Sequence, residues 1–197
     1  MNNDMAPVLD DLWREARTHI ENWKFDKAIE IYKYILARYA NNNSAAEHAN
    51  ACLGEVLLML GQTAAAENHI RKAISHDPGN PHYRYLLGSI YDRRYEWGKA
   101  IREYKAALDK EPNNRLYLRA LGESIFNSGD RHRGLTYLHK AEALYPSNSG
   151  MLSELATAYL SLGDVDTAMV YGEKAVMINP DDIMAWAVLR KIESFQK

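Results

Sequence analysis

The chain has 197 residues, 47% of them hydrophobic and 25% charged, with 24 Lys and Arg set against 26 Asp and Glu. Those proportions exclude a collagen-like, largely disordered or membrane-spanning composition, and the near-neutral balance excludes a globally basic nucleic-acid binder. A single cysteine, Cys52, excludes an internal disulfide, and no CxxC or Cys/His spacing points to structural zinc.

In chain order, residues 1–8 read as an N-terminal tail, polar over Met1-Asn2-Asn3-Asp4, with no apolar stretch of leader length. Segment 9–42 then carries Ala16, Ala28 and Tyr32, and segment 43–46 reads as a short insert. From residue 47 a 34-residue period takes over, set by Pro78, Pro112, Pro146 and Pro180. Unit 47–80 has Leu53-Gly54, Ala66 and Ala73; unit 81–114 has Leu87-Gly88, Tyr91, Ala100, Tyr104 and Ala107. Units 115–148 and 149–182 repeat the columns with Leu121-Gly122 and Ala141, then Leu155-Ala156, Ala168 and Ala175. Segment 9–42 shares the register but has Ala40 where the proline belongs, and 183–197 continues the leucine column through Trp186 and Leu189.

Each unit predicts two amphipathic helices, since its small and large apolar residues recur at spacings of three and four. The break between them falls at Gly61, Gly129 and Gly163, with Tyr95 holding that place in unit 81–114. Proline ends the second helix because it cannot continue it, and the polar residues after it, such as Gly79-Asn80 and Asn113-Asn114, suit the next N-cap. The Gly and Ala columns are demanded by close helix packing. Two departures read as weak points: Gly134 in an alanine column, and Gly172 where Ile70, Tyr104 and Leu138 stand elsewhere, leaving a shallow hole unless Tyr171 or the last helix fills it.

These residues resemble the tetratricopeptide repeat, most closely in 81–114 with Leu87-Gly88, Tyr91, Ala100, Tyr104, Ala107 and Pro112. The resemblance implies an all-α, right-handed solenoid of five helix-turn-helix repeats, at 9–42 (degenerate), 47–80, 81–114, 115–148 and 149–182, with 183–197 as a C-terminal capping helix. It also implies a concave groove lined by the first helix of each repeat, which binds a peptide or a segment of a partner protein. The groove residues it implies are Trp13, Arg17, His48, Glu55, Met59, His82, Tyr85, Ser89, Arg93, Arg119, Glu123, Phe126 and Asn127, about half of them exposed. Family members that bind acidic chaperone tails carry Lys, Asn, Asn, Lys and Arg on successive first helices. The matching places here hold Ala51, Glu55, Leu86, Leu116 and Ala120, or Tyr85, Ser89, Ala120, Gly150 and Glu154, so such tails are disfavoured as partners.

No catalytic constellation emerges: HExxH, P-loop, GxGxxG and GxSxG are all missing, and a non-enzymatic scaffold without a cofactor is expected. The pairs Asp10-Asp11 and Asp181-Asp182 stand at helix starts, where carboxylates complement the dipole. His48, Cys52 and His82 share one face of adjacent first helices and are the candidate metal cluster, against the plainer reading of groove histidines and a packed thiol. Charge is uneven: residues 81–148 hold twelve Lys and Arg against eight acids, whereas 149–182 hold one Lys against six. The basic middle carries interleaved tyrosines, so a nucleic-acid-binding or regulatory solenoid is the alternative reading. Pairing of the basic and acidic stretches between copies would give a self-assembling scaffold. A soluble, cytoplasmic protein that does not insert into membranes is expected.

Overall fold

The computed structural model describes residues 6–195, which form eleven α-helices and no strand: α1 (Ala6–Glu21), α2 (Phe25–Arg38), α3 (Asn43–Met59), α4 (Thr63–His76), α5 (Pro81–Arg93), α6 (Trp97–Lys110), α7 (Arg115–Asn127), α8 (Arg131–Leu144), α9 (Ser149–Ser161), α10 (Val165–Ile178) and α11 (Ile183–Glu193). The all-α class is the one expected. Among these helices none is long and apolar enough to cross a membrane. The chain divides into two compact units, Met1–Ala107 and Leu108–Lys197, with the division inside α6.

Local chemistry sets the helix ends. Four helices, α4, α6, α8 and α10, stop two residues before Pro78, Pro112, Pro146 and Pro180. The polar residues behind those prolines then cap the next helix in each case. Asn80 accepts from the His82 amide, Asn114 from Leu116, Asn148 from Met151 and Asp182 from Met184 and Ala185. The four residues of the expected insert, 43–46, form the opening turn of α3, which has 17 residues where α5, α7 and α9 have 13. Asn42 accepts the Ala45 amide, and Ala45 and Ala46 are buried.

The turns inside the hairpins need a left-handed residue, which Gly61, Gly129 and Gly163 supply with φ of 74°, 107° and 81°. Trp23 and Tyr95 hold the same conformation, at φ 58° and 59°, against a steric cost of about 1–2 kcal/mol. Each is exposed and meets an aromatic two residues on, Trp23 with Phe25 and Tyr95 with Trp97, edge to face.

In the first unit, packing explains the small-residue columns. A Cβ on Gly54 would sit 2.5 Å from Ile70, and one on Gly88 would sit 2.5 Å from the Tyr104 ring. In the second unit, Gly122 faces Leu138 and the core joins Leu118, Leu138, Ala141, Met151 and Leu155. Leu152, Ala175 and Ala185 form a further layer, as do Ala156, Ala168 and Ile192, so α11 seals the apolar face of α9 and α10.

Both expected weak points are filled. Gly134 lets α8 approach the backbone of α7 so closely that a Cβ would lie 2.6 Å from the Phe126 amide nitrogen. Its glycine is a packing requirement, the reverse of a defect relative to alanine. At Gly172, Ile192 and Leu189 of α11 come within 3.1 and 3.2 Å of where a Cβ would stand, which closes the hole.

Candidate functional site

None of the thirteen sequence-derived groove residues is buried; six are exposed and seven half-buried, close to the even split expected. Their surroundings differ between the two units.

In the first unit the α1, α3 and α5 side chains engage one another. Trp13 packs edge-on against His48 at 4.7 Å between ring centroids and tilts against Tyr32 at 5.9 Å. His48 Nε2 lies 3.7 Å from Cys52 Sγ. Burial, then the nearby Glu55, pushes the Cys52 thiol up to about 11, so it stays protonated at neutral pH. His82 turns away from this pair to Glu55 Oε1 at 2.6 Å and stacks on Tyr85 at 6.0 Å. The structure therefore corrects the candidate metal cluster: His48, Cys52 and His82 do not converge, because the Glu55 carboxylate competes for His82. Among the described residues no group of three His, Cys, Asp or Glu is arranged to hold a metal ion.

Further along α5, Ser89 Oγ and the Asp92 carboxylate accept hydrogen bonds from the Tyr104 hydroxyl at 3.2 and 2.7 Å. Burial, and next to it the Asp92 charge, raises that hydroxyl far above the tyrosine range and fixes it as a donor. Arg17, Met59 and Arg93 are exposed on the same helices. A shallow depression lined by Thr63, Glu67, Arg71 and Arg94 lies on the second-helix side. It is already satisfied, since Glu67 accepts from Arg94 at 2.6 Å and from Arg71 at 3.0 Å.

The second unit contains a cavity of about 560 Å³. Three helices present one face each to it, at spacings of three and four: Glu123, Phe126 and Asn127 from α7, Gly150, Ser153, Glu154, Thr157, Ala158 and Ser161 from α9, and Met184 and Val188 from α11. Leu138 of α8 completes the wall. The small side chains of α9 are what leave the space open.

The polar end of the cavity is built around two acids. Arg119 Nη1 donates to Glu154 Oε1 at 2.6 Å, while Arg119 Nε lies 4.0 Å from Glu123 Oε1. Three buried atoms have no hydrogen-bond partner: Arg119 Nε, Ser153 Oγ and Glu154 Oε2. Desolvation, then repulsion from Glu154, pushes the Glu123 carboxyl up to about 7 despite the opposing pull of Arg119. Near neutral pH Glu123 therefore passes between its neutral and its charged form.

Three groove residues expected from the sequence, Glu123, Phe126 and Asn127, therefore line one cavity, and a fourth, Arg119, stands behind it. The α9 and α11 contributors were missing from the thirteen. The repeat itself carried the signal: moving Arg119, Glu123 and Asn127 on by one 34-residue period gives Ser153, Thr157 and Ser161, all of which line the cavity.

Comparison with known proteins agrees with this architecture. Sequence models of the tetratricopeptide repeat match residues 19–90 and 57–123, and a second such model matches 119–183. A curated relative, human protein O-mannosyl-transferase TMTC1, is 24% identical over 181 residues, which covers 88% of this chain but 20% of that protein. The chain thus spans about a fifth of that relative's length. Among solved structures, the tetratricopeptide repeat protein TTC0263 of Thermus thermophilus superposes with a TM-score of 0.79 at 19% identity, covering 94% of this chain and 99% of that one. YrrB, a tetratricopeptide repeat protein with an unusual peptide-binding site, superposes with a TM-score of 0.65 at 17% identity, covering 89% and 88%. These likenesses fix the fold class as an all-α solenoid.

Proposed function

The chain belongs to the tetratricopeptide repeat family, and on that premise we propose that it is a non-enzymatic interaction module or assembly scaffold that holds a peptide or partner-protein segment against its first helices. The carrying observation is the cavity of the second unit, with its three aligned helix faces, apolar walls and polar end. Its size falls in the range that receives side chains or small ligands, about 300–1,000 Å³. Phe126, Leu138, Met184 and Val188 offer an apolar anchor site, and Asn127, Thr157 and Ser161 offer hydrogen bonds that fix register. The peptide-binding site of YrrB supports a peptide as occupant, by analogy of fold.

The division into repeats at 9–42, 47–80, 81–114, 115–148 and 149–182 with a closing helix belongs to the same proposal, as does a cytoplasmic setting that keeps the Cys52 thiol reduced. The nucleic-acid alternative draws less support, because several of its basic side chains are engaged internally. Arg84 pairs with Glu103, Arg94 with Glu67, and Arg119 with Glu154.

The test is selection of a random displayed peptide library on the immobilised protein, with calorimetry on the enriched sequences. Thr157→Arg, which plugs the cavity from an exposed position, is expected to weaken their binding at least about tenfold while leaving the helical circular dichroism unchanged. Undiminished affinity in that variant would move the binding surface elsewhere.

A further inference from the structure

The polar end of the second unit's cavity has chemistry that the peptide-binding reading leaves unused. Two carboxyl groups, Glu123 on α7 and Glu154 on α9, stand within reach of one guanidinium, Arg119. Only one carboxylate can be neutralised by that cation, so the other holds a proton or stays as an uncompensated charge. Glu154 spends Oε1 on Arg119 and keeps Oε2 buried without a partner. Beside it Ser153, only 7% exposed, lines the cavity with a hydroxyl that neither donates nor accepts. Leaving such groups dry forfeits the hydrogen bonds they would make in water, a penalty that a ligand supplying their partners would recover.

We propose that the cavity receives the side chain of a lysine or arginine from the bound segment, its aliphatic stem along Phe126 and Met184 and its cationic end between Glu123, Glu154 Oε2 and Ser153 Oγ. The inference rests on the peptide-binding reading and names what that site selects. Charge balance supports it: two carboxylates with Arg119 alone carry one excess negative charge, and a single bound cation cancels it. An anionic side chain would meet two acids with their only cation already engaged, and a purely apolar one would leave Glu154 Oε2 and Ser153 Oγ without the donor that an ammonium or guanidinium supplies. A cation with a long apolar stem matches both the walls and the end.

Binding of that cation releases a proton. In the free protein Glu123 is half protonated near pH 7, with Arg119 on its own helix favouring the charged form and Glu154 on α9 opposing it. From α8 the neighbours are Leu138 and Arg131, whose guanidinium lies over the Phe126 ring 5.9 Å from its centroid, and from α11 they are Met184 and Val188. An entering ammonium or guanidinium requires the ionised Glu123, so the carboxylic proton passes to the buffer. Affinity therefore rises with pH up to about 7 and levels off above it.

The experiment uses three capped tripeptides, Ac-Leu-Lys-Leu-NH2, its norleucine isostere and its glutamate counterpart, titrated into the isotopically labelled full chain and read by amide shifts. The lysine peptide is expected to shift Ser153, Glu154 and Thr157 and to bind about tenfold or more tightly than the norleucine peptide above the Glu123 midpoint, losing about tenfold per pH unit below it. Glu154→Gln and Glu123→Gln are each expected to remove most of the preference for lysine over norleucine, with unchanged helical circular dichroism showing that the variants fold. Norleucine or glutamate peptides that bind as tightly as lysine would overturn the basic anchor and leave the peptide site standing. If none of the three shifts the cavity amides at millimolar concentration, both readings fall.

Discussion

The first-helix faces of the two units follow one pattern of residues and end in opposite states. In the first unit the polar groups find each other: His82 meets Glu55, and Tyr104 serves both Ser89 and Asp92. In the second, the corresponding faces open into a cavity with an acid pair short of one cation and a buried hydroxyl without a partner. The same scaffold thus gives one face that satisfies itself and another whose groups remain to be satisfied. Unsatisfied buried groups are selected against unless something else uses them, and a bound segment is the use that fits a repeat protein.

The largest expected effect comes from a glycine of the second helices, with another as its control. Gly134→Ala should destabilise the second unit by about 1–3 kcal/mol in chemical denaturation, because the added methyl meets the α7 backbone. Gly98→Ala in the first unit meets nothing within 4 Å and should stabilise by about half a kcal/mol. Equal responses would mean that the close approach of α8 to α7 is wrong.

Next, Tyr104→Phe should cost about 1–2 kcal/mol through the lost bonds to Asp92 and Ser89, measured by urea titration. A change near zero would show that the first unit's network contributes little, and would erase the contrast between the units.

The pH dependence sharpens the same contrast. Glu123 has a folded-state value raised from 4.5 to about 7, so the neutral acid is the form that the fold prefers. Its contribution to stability is fully present below the ordinary carboxyl range and is lost as pH rises through about 7. With 38% of the side chain exposed, solvent screening trims that loss to about 1 kcal/mol or less. Denaturation measured across that window should show the slope in the wild type and a flatter profile in Glu123→Gln. The smallest effect has the opposite sign to that of Tyr104: Ser153→Ala removes a buried hydroxyl without a partner and should be neutral or up to about 1 kcal/mol stabilising.

Much of the fold is legible in the sequence because its determinants are short-range and repeated. Pro78, Pro112, Pro146 and Pro180 stop helices wherever they stand, and the Leu-Gly columns reflect helix approaches that recur in each unit. The conformation of residues 43–46 is not legible because a cap decides it: Asn42 accepts the Ala45 amide and makes the insert an extra helical turn. Gly134 reads as a defect from propensity, which acts within one helix, whereas its requirement comes from Phe126 on another. At the site, the positions on α7 follow from the resemblance to the tetratricopeptide repeat, and the 34-residue period extends them to Ser153 and Thr157. What no pattern reveals is that Glu123 and Glu154 approach one another around a single Arg119, because that depends on distance between helices.

The central claim is that the second unit holds the binding site, and residue-resolved amide shifts with a library-selected peptide test it most directly. The largest changes are predicted at Glu123, Phe126, Ser153, Thr157 and Met184, with His82 and Tyr85 little moved. Shifts concentrated at His82 and Tyr85, with the cavity residues silent, would contradict it.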